Sequence, residues 1–426
     1  MSSALPRSLP SYRQAAATVA ACAAGLRAAL PAERVQLAAA SGRVLAAASR
    51  ADSDQPPFAR STRDGFACRA AEVCMHDWLP VAGATRAGQA PAGPLPPAAA
   101  WEIMTGAPIP EGADAVVMVE HMEVSEGNVR LRPPHQVAPG ENIVARGVQA
   151  SAGDELLPAG TAITAAQIAL AASCGLATLE VYARPRVAIL TTGDELVAVE
   201  VEPAPGQIRN SNGPMLAALV TAAGGEPWLL PTAADTAAAL DAALAQAAEA
   251  DLLLISGGVS AGKFDLVEPA LARMGARFHF TGVRIQPGKP LVFGELPGSN
   301  PRALHEESRA KCFFGLPGNP VSSAVTFLLF AAPVLAALAG RRDPGPRFAM
   351  ARVSAETDRR AKPGLTRFLP AACTFGGAEG ELAEVALVPW HGSGDLAALA
   401  RSNCFLVIPE ETASLAAGEI ASILLL

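Results

Sequence analysis

Four turn-forming stretches in the middle of the chain combine glycine with hydroxyl or acidic side chains. They are Thr191-Thr192-Gly193-Asp194-Glu195, the turn holding Asp235, Ser256-Gly257-Gly258-Val259-Ser260-Ala261-Gly262 followed by Asp265, and Gly315-Leu316-Pro317-Gly318-Asn319-Pro320. Glycine leaves the backbone N–H groups open to an anion, and at a helix start the dipole adds to the attraction. Two such loops in one region point to a ligand that carries phosphate. Carboxylates beside them repel that anion unless a divalent cation bridges the two. Asp194, Glu195, Asp235 and Asp265 therefore read as Mg2+ ligands, direct or through water. Taken singly, each acid reads more readily as a helix N-cap.

Other residues offer weaker chemistry. Lys289, in Gln286-Pro287-Gly288-Lys289-Pro290, stands on a turn stiffened by proline on each side and is the best cationic candidate; the plain alternative is a surface lysine. The stretch His391-Gly392-Ser393-Gly394-Asp395 can hold an oxyanion through Ser393 and backbone N–H groups, or serve only as a helix cap. Gly257 to Lys263 fits G-x-x-x-x-G-K, but Phe264 follows where a P-loop needs the Mg2+-binding hydroxyl, so a P-loop is rejected. The 6 histidines show no metal-ligand spacing. No Ser–His–Asp arrangement follows from spacing.

The elements that must carry these turns alternate from residue 186 onward. "RVAILTTGDEL", "EPWLLPTAAD", "DLLLISGG", "LVFGEL" and "CFFGLPGNP" read as strands. "NGPMLAALVTAAGGE", "TAAALDAALAQAAEA" and "LVEPALARMG" read as helices between them, and a long helix begins at Val321. This pattern predicts a mostly parallel sheet with helices on both faces, whose ligands bind beyond the strand carboxyl ends. Residues 11–49 read as one or two helices, 77–140 as short strands between Gly and Pro clusters, and the chain from about 345 as β again. "TAAQIALAASCG" is a short helix stopped at Gly175. The polar stretch 297–311 reads as an exposed hairpin loop.

The 426 residues suggest two to four domains at about 150 residues each. Lys plus Arg is 33 against 40 Asp plus Glu, a net charge of −7, which argues against a nucleic-acid partner. Hydrophobic residues make up 50% of the chain, too many for a disordered one. The 7 cysteines are scattered without a C-x-x-C pair. This fits reduced, mostly buried thiols in a cytoplasmic protein and argues against a structural zinc site. Residues 15–26 read as part of an amphipathic helix rather than a secretory leader. Val321–Gly340 is long enough to span a bilayer, but its Ser, Thr and Ala content and Pro333 suggest a buried core helix broken at that proline. No membrane span is expected.

Ten stretches in order along nearly the whole chain carry a resemblance. They include "PPFARSTRDGFACRA" (56–70), "EIMTGAPIPEGADAVVMVE" (102–120), "GENIVARG" (140–147), "VAILTTGDELV" (187–197), "DLLLISGGVSAGKFD" (251–265), "QPGKPLVFG" (286–294), "GLPGNPVSS" (315–323) and "GSGDLAALARSN" (392–403). Together they resemble the MoeA/gephyrin-E family of molybdopterin molybdenumtransferases. The resemblance implies an α/β plus β multidomain fold. A discontinuous N-terminal domain (1–49 and 141–183) is interrupted by an inserted β domain (50–140). A molybdopterin-binding α/β domain (184–340) and a C-terminal β-barrel (345–426) follow. It implies an elongated cytoplasmic homodimer, with the cleft between the α/β domain of one subunit and the inserted domain of the other. The implied reaction is Mg2+-dependent: molybdate is inserted into adenylylated molybdopterin and AMP is released. Further implied partners are the molybdopterin adenylyltransferase and molybdoenzyme chaperones.

Residue by residue, the resemblance implies catalytic roles for Asp64, Thr105, Glu195 and Asp235, and metal ligation by Glu195, Asp235 and Asp265. Substrate binding falls to Thr192, Gly193, Ser211, Ser256, Gly257, Gly258, Ser260, Gly262, Pro317, Gly318 and Asn319. Lys289, Ser322 and Ser393 match positions near molybdate. The chain departs from the family pattern at Arg63, Phe66, Val148 and Gln149, the last replacing an acid. Gln286 stands where lysine is frequent, and Leu365 and Pro370 stand at arginine positions, with Arg367 as a compensating cation. These departures suggest a second reading, a divergent paralogue that binds or carries molybdopterin or the finished cofactor with little or no catalysis.

Overall fold

A computed structural model describes residues 9–258, 266–297, 300–304, 310–357, 364–374 and 382–426. Helix α1 (Tyr12–Gly25) opens with a capping box, Ser11 and Gln14 bonding each other's backbone N–H. Beyond it the expected helical run across 11–49 does not continue. Pro31 has no N–H to extend a helix, and Ala32–Gln36 instead pairs antiparallel with Thr178–Tyr182. Alanine, which dominates this stretch, packs in either setting and hid the switch. Two further short pairings, Ser49–Arg50 with Glu155–Leu157 and Arg60–Ser61 with Ile143–Val144, bring the chain back beside its own start. The helix Ala165–Ser173 ends as expected, with Gly175 at φ +72°.

Between those pairings lies a six-stranded sheet of β1 (Gly65–Cys68), β2 (Leu79–Thr85), β3 (Ala100–Ile103), β4 (Ala115–Met118), β5 (Met122–Ser125) and β6 (Asn128–Leu131), in the order β4-β1-β3-β2-β6-β5. Its apolar side chains alternate into two small cores, one around Phe66, Val117 and Val129, the other around Trp101 and Ile103.

The central sheet holds β7 (Arg186–Thr191), β8 (Glu226–Leu229), β9 (Leu252–Ser256), β10 (Arg277–Thr281), β11 (Val292–Leu296) and β12 (Lys311–Leu316) in the order β8-β7-β9-β12-β11-β10. The first four in that order are parallel; β11 is antiparallel to β12, and β10 is antiparallel to β11. β7, β9 and β12 are buried apart from the edge residue Arg186, so their sequences read as continuous apolar runs. One face packs on α1 and α2 (Asn212–Ala222), the other on α3 (Ala237–Gln246) and α4 (Val267–Arg273). The long helix also lies on the first face: α5 (Pro320–Thr326), a π-turn over Phe327–Ala331, and α6 (Ala332–Leu338). The expected break at Pro333 is absent, because the π-turn removes the hydrogen bond that the proline could not make. This helix is long and apolar enough to cross a membrane, yet 89% of its most apolar window is buried in the fold.

The last sheet closes on itself. β13 (Phe348–Val353), β14 (Thr366–Thr374), β15 (Glu384–Leu387), β16 (Cys404–Ile408) and β17 (Ile420–Leu425) run in the order β14-β15-β13-β17-β16 and return to β14, a five-stranded barrel around Val385, Leu406 and Ile423. A short helix, α7 (Leu396–Arg401), lies before β16.

The loop between β11 and β12 corrects another expectation. Read as exposed, it buries Asn300, and Arg302 Nη1 donates to the buried Asp251 at 2.5 Å. Asp251 is an acid inside the sheet's amino edge, and a buried charge needs such a partner.

Candidate functional site

From β7 the chain passes through α2 to β8 on one side, and from β8 through α3 to β9 on the other side of β7. The connections therefore diverge between the carboxyl ends of β7 and β9, which opens a crevice there. Thr191 lies opposite Ser256, and Ser256 opposite Leu316, so three glycine-containing loops leave the sheet side by side. Backbone bonds tie them together: Thr192 N donates to Ser256 O at 3.1 Å and Gly257 N to Leu316 O at 3.3 Å. A Cβ at Gly257 would lie 2.4 Å from Thr192 O, and its φ is +99°, so the approach requires glycine. A Cβ at Gly318 would touch the Gly257 Cα at 3.7 Å, so these two loops abut.

Acids gather on the same rim. Thr192 Oγ1 donates to Asp235 Oδ1 at 2.6 Å, and Asp235 N donates to Asp194 Oδ1 at 3.0 Å. The Glu195 carboxylate folds over Gly193, where a Cβ would come within 2.6 Å of it. All three carboxylates are exposed. Oxygen donors of this kind fit Mg2+, which binds through one or two carboxylates and completes its shell with water and ligand phosphates. Among the described residues, these carboxylate oxygens do not close into a tight three-ligand group.

Two residues that pattern reading missed hold the crevice together. Asn212, the first residue of α2, donates through Nδ2 to Ser256 Oγ at 2.8 Å and to Gly318 O at 2.6 Å. Its Oδ1 is buried and has no partner among the described residues, an acceptor left open beside the glycine loops. Ser323 donates to Pro317 O at 2.6 Å and lies 3.5 Å from Ser256 Oγ. The signal for Asn212 was the run Arg209-Asn210-Ser211-Asn212-Gly213 just ahead of a helix. Ser211 itself takes the N-cap position without capping through its side chain.

The barrel also reaches this edge. Asn319 Nδ2 donates to Ser393 Oγ at 2.9 Å, and Val321 N donates to Ser393 O at 3.0 Å. The same turn is a helix cap, since Asp395 accepts from Ala398 N at 2.9 Å; that bond and one from His391 N hold its carboxyl below the ordinary range. Lys289 is exposed on the turn entering β11. Because β11 runs antiparallel, with Val292 opposite Gly315, this turn lies at the same carboxyl edge as the loops. Ser322 is buried in the first turn of α5.

Asp64 and Thr105 pair with each other on the inserted sheet. Asp64 Oδ1 accepts from Thr105 N at 2.6 Å and from Thr105 Oγ1 at 2.8 Å, and these bonds lower the Asp64 carboxyl. Among the described residues, no hydrogen bond or ion pair links this pair to the crevice within one chain. Ser260, Gly262 and Asp265 lie outside the described residues.

Two expectations fail. Arg367 is buried and donates to the carbonyls of Thr412 at 3.0 Å and Ala413 at 2.5 Å, so it anchors a loop rather than standing in for the absent arginines at Leu365 and Pro370. One histidine does enter a group of metal-ligand type: among the described residues His279 lies with Cys22 and Glu295. Gln149 is exposed, and its N–H donates to Gln55 O at 2.9 Å.

Comparison with known proteins gives a consistent result. Residues 10–175 match the MoeA N-terminal region (domain I and II), 188–337 a probable molybdopterin binding domain, and 352–426 the MoeA C-terminal region (domain IV). The chain is 36% identical over 389 residues to a molybdopterin molybdenumtransferase of a Nostoc species, covering 88% of this chain and 85% of that one. It is 33% identical over 395 residues to the enzyme of the same name from Haemophilus influenzae, covering 92% and 93%. A crystal structure of the molybdopterin biosynthesis MoeA protein from Pyrococcus horikoshii superposes with a TM-score of 0.78 at 29% identity, over 98% of this chain and 100% of that one.

Proposed function

The chain belongs to the MoeA family of molybdopterin molybdenumtransferases, and from that premise we propose the reaction its crevice performs and the residues that perform it. The protein is a transferase of molybdenum cofactor biosynthesis. It takes adenylylated molybdopterin and molybdate, cleaves the adenylyl–phosphate bond, releases AMP and leaves molybdenum on the dithiolene. The observation that carries this reading is the convergence of three glycine-containing loops with Asp194, Glu195 and Asp235 at the strand-order reversal.

In this reading the open N–H groups near Gly193, Gly257, Gly258 and Gly318 hold the substrate's phosphates. Ser256, bonded to Asn212, keeps the Ser256 and Gly318 loops in register, with Pro317 and Asn319 shaping the far wall. Thr192 orients Asp235, and Glu195 and Asp235 hold Mg2+, joined by Asp265. When bound, Mg2+ neutralises the phosphate charge that develops as the bond to the adenylyl group breaks. Lys289, Ser322 and Ser393 receive molybdate, a tetrahedral oxyanion suited to an ammonium, hydroxyls and backbone N–H groups. In this reading Asp64 and Thr105 act from the inserted domain of a second subunit in a homodimer with a shared cleft; in keeping with it, no hydrogen bond or ion pair among the described residues joins them to the crevice. The domain limits 1–49 with 141–183, 50–140, 184–340 and 345–426 follow the same reading. So do a cytoplasmic setting and hand-over partners in the adenylyltransferase and molybdoenzyme chaperones. No finding favours the non-catalytic carrier.

The test is AMP release from adenylylated molybdopterin with Mg2+ and molybdate. The wild-type chain is expected to release AMP, and Glu195→Ala and Asp235→Ala to lower the rate by about 100-fold or more. Tight pterin binding by the wild type with no release above these variants would overturn the catalytic reading.

A further inference from the structure

We propose that Cys22, His279 and Glu295 form a Zn2+ site that clips α1 to the antiparallel edge of the central sheet. The site is independent of the crevice: Glu295 lies opposite Cys312, near the start of β12, at the amino edge of the sheet, while the glycine loops leave from the carboxyl edge. Cys22 Sγ lies 3.5 Å from His279 Nε2, and Glu295 Oε2 lies 3.1 Å from the same nitrogen. The three donor atoms lie within 4.8 Å of one another. Tetrahedral zinc with bonds of about 2.3 Å to sulfur and about 2.0–2.1 Å to nitrogen and oxygen has ligand edges of about 3.6 Å (S to N) and about 3.3 Å (N to O). The observed edges are close to both.

The geometry is awkward without a cation. One ring nitrogen faces both a thiol and a carboxylate, yet it carries a single proton or a single lone pair. A metal ion among the three uses the nitrogen lone pair, the sulfur and the carboxylate oxygen together. Local structure aims the ring. The β10–β11 register shifts between Phe278 and Phe280, so His279 is the extra residue of a β-bulge. That bulge sends Phe278 to one face of the sheet and Phe280 to the other, and turns His279 toward α1. His279 is held by stacking on Phe293, with centroids 5.1 Å apart and ring planes at 24°. Cys22 comes from α1, half-buried, which leaves a path for the ion.

A sulfur, nitrogen and oxygen donor set selects Zn2+ over the hard cations Mg2+ and Ca2+. Three protein ligands leave one position for water. Arg277 also bonds Glu295 Oε2 and competes for it, but its side chain is 66% exposed and free to turn into solvent.

The experiment uses tag-free, full-length protein stripped of metal, titrated with Co2+ and then Zn2+. One equivalent of Co2+ is expected to give tetrahedral visible bands and a near-ultraviolet thiolate-to-cobalt band, both displaced by one equivalent of Zn2+. Cys22→Ala, mild because alanine suits a helix, removes the thiolate band and weakens binding by about 100-fold. His279→Gln weakens it similarly, Arg277→Ala tightens it several-fold, and Cys312→Ala leaves the band unchanged. Absence of the thiolate band at stoichiometric Co2+, or its survival in Cys22→Ala, overturns the site. Neither result bears on AMP release, so this inference and the catalytic reading fail separately.

Discussion

Glu295 and His279 shift in opposite directions, and together they set a pH window for stability. The hydrogen bond from His279, with Arg277 beside it, holds the Glu295 carboxyl at about 2. The hydrogen bonds with Cys22 and then Glu295 lift the His279 imidazole to about 9. A depressed acid stabilises the fold above its ordinary value and loses that contribution as pH falls from about 4.5 toward 2. A raised histidine stabilises the fold below its ordinary value and loses that contribution as pH rises from 6.5 to about 9. Both contributions are therefore complete between about 4.5 and about 6.5. In metal-free protein, urea unfolding at pH 6 and pH 9.5 should show the wild type losing of order 1–3 kcal/mol more than His279→Gln over that interval. Equal losses would mean the pair is not coupled in solution. At this scale the sequence hid the most: Cys22 and His279 are 257 residues apart, and no spacing rule reaches that far. Asp64 and Thr105, 41 residues apart, were found only through the family resemblance.

The loops and strands carry two sharper tests. Gly257 is where β9 gives way to the crevice, and its missing side chain lets Thr192 O approach. Gly257→Ala must move one of the two loops and adopt a strained φ. It should cost about 1–3 kcal/mol in stability and cut AMP release by at least about tenfold. Retained activity with an unchanged melting temperature would mean that the loops do not abut in solution. Arg302 tests the other edge of the sheet. Burial raises the Asp251 carboxyl, and Arg302 and the Arg186 N–H oppose that rise. Arg302→Met leaves the acid buried with less compensation and should cost about 2–4 kcal/mol in urea unfolding. Adding Asp251→Asn should cost less than the sum of the two single changes. Most of the strand and helix alternation from 186 to 340 was legible because apolar runs and glycine stops mark its elements; β10 was not, because Arg277 and His279 interrupt its apolar run. The stretch after α1 was not, since alanine carries little periodic signal. Nor was the anchoring of the β11–β12 loop, because Asn300 and Arg302 look like surface residues until Asp251 is placed beneath them.

At the scale of the whole molecule, the division of labour between the inserted sheet and the central sheet decides how many chains make one site. Asp64 and Thr105 satisfy each other on the inserted sheet, whereas Asp235 is satisfied by Thr192 and Asp194 at the crevice. If the cleft is shared, Asp64→Asn disables the contribution a chain makes to its partner, and Asp235→Asn disables the one it makes to itself. Homodimers of either variant then have no complete site. In a mixed dimer, one cleft receives both substitutions and the other receives neither. Random mixing makes about half of the dimers mixed, each with one intact cleft of two, so AMP release should recover to about a quarter of the wild-type rate. Co-expression of the two variants under distinct affinity tags, followed by purification through both, isolates the mixed dimer, whose rate should be about half that of the wild type. A rate no higher than that of either single variant would mean that both acids serve the same cleft from one chain. Absence of any doubly tagged species would remove the dimer itself, and each chain would then have to bring Asp64 to Asp235 by a rearrangement of its own inserted sheet.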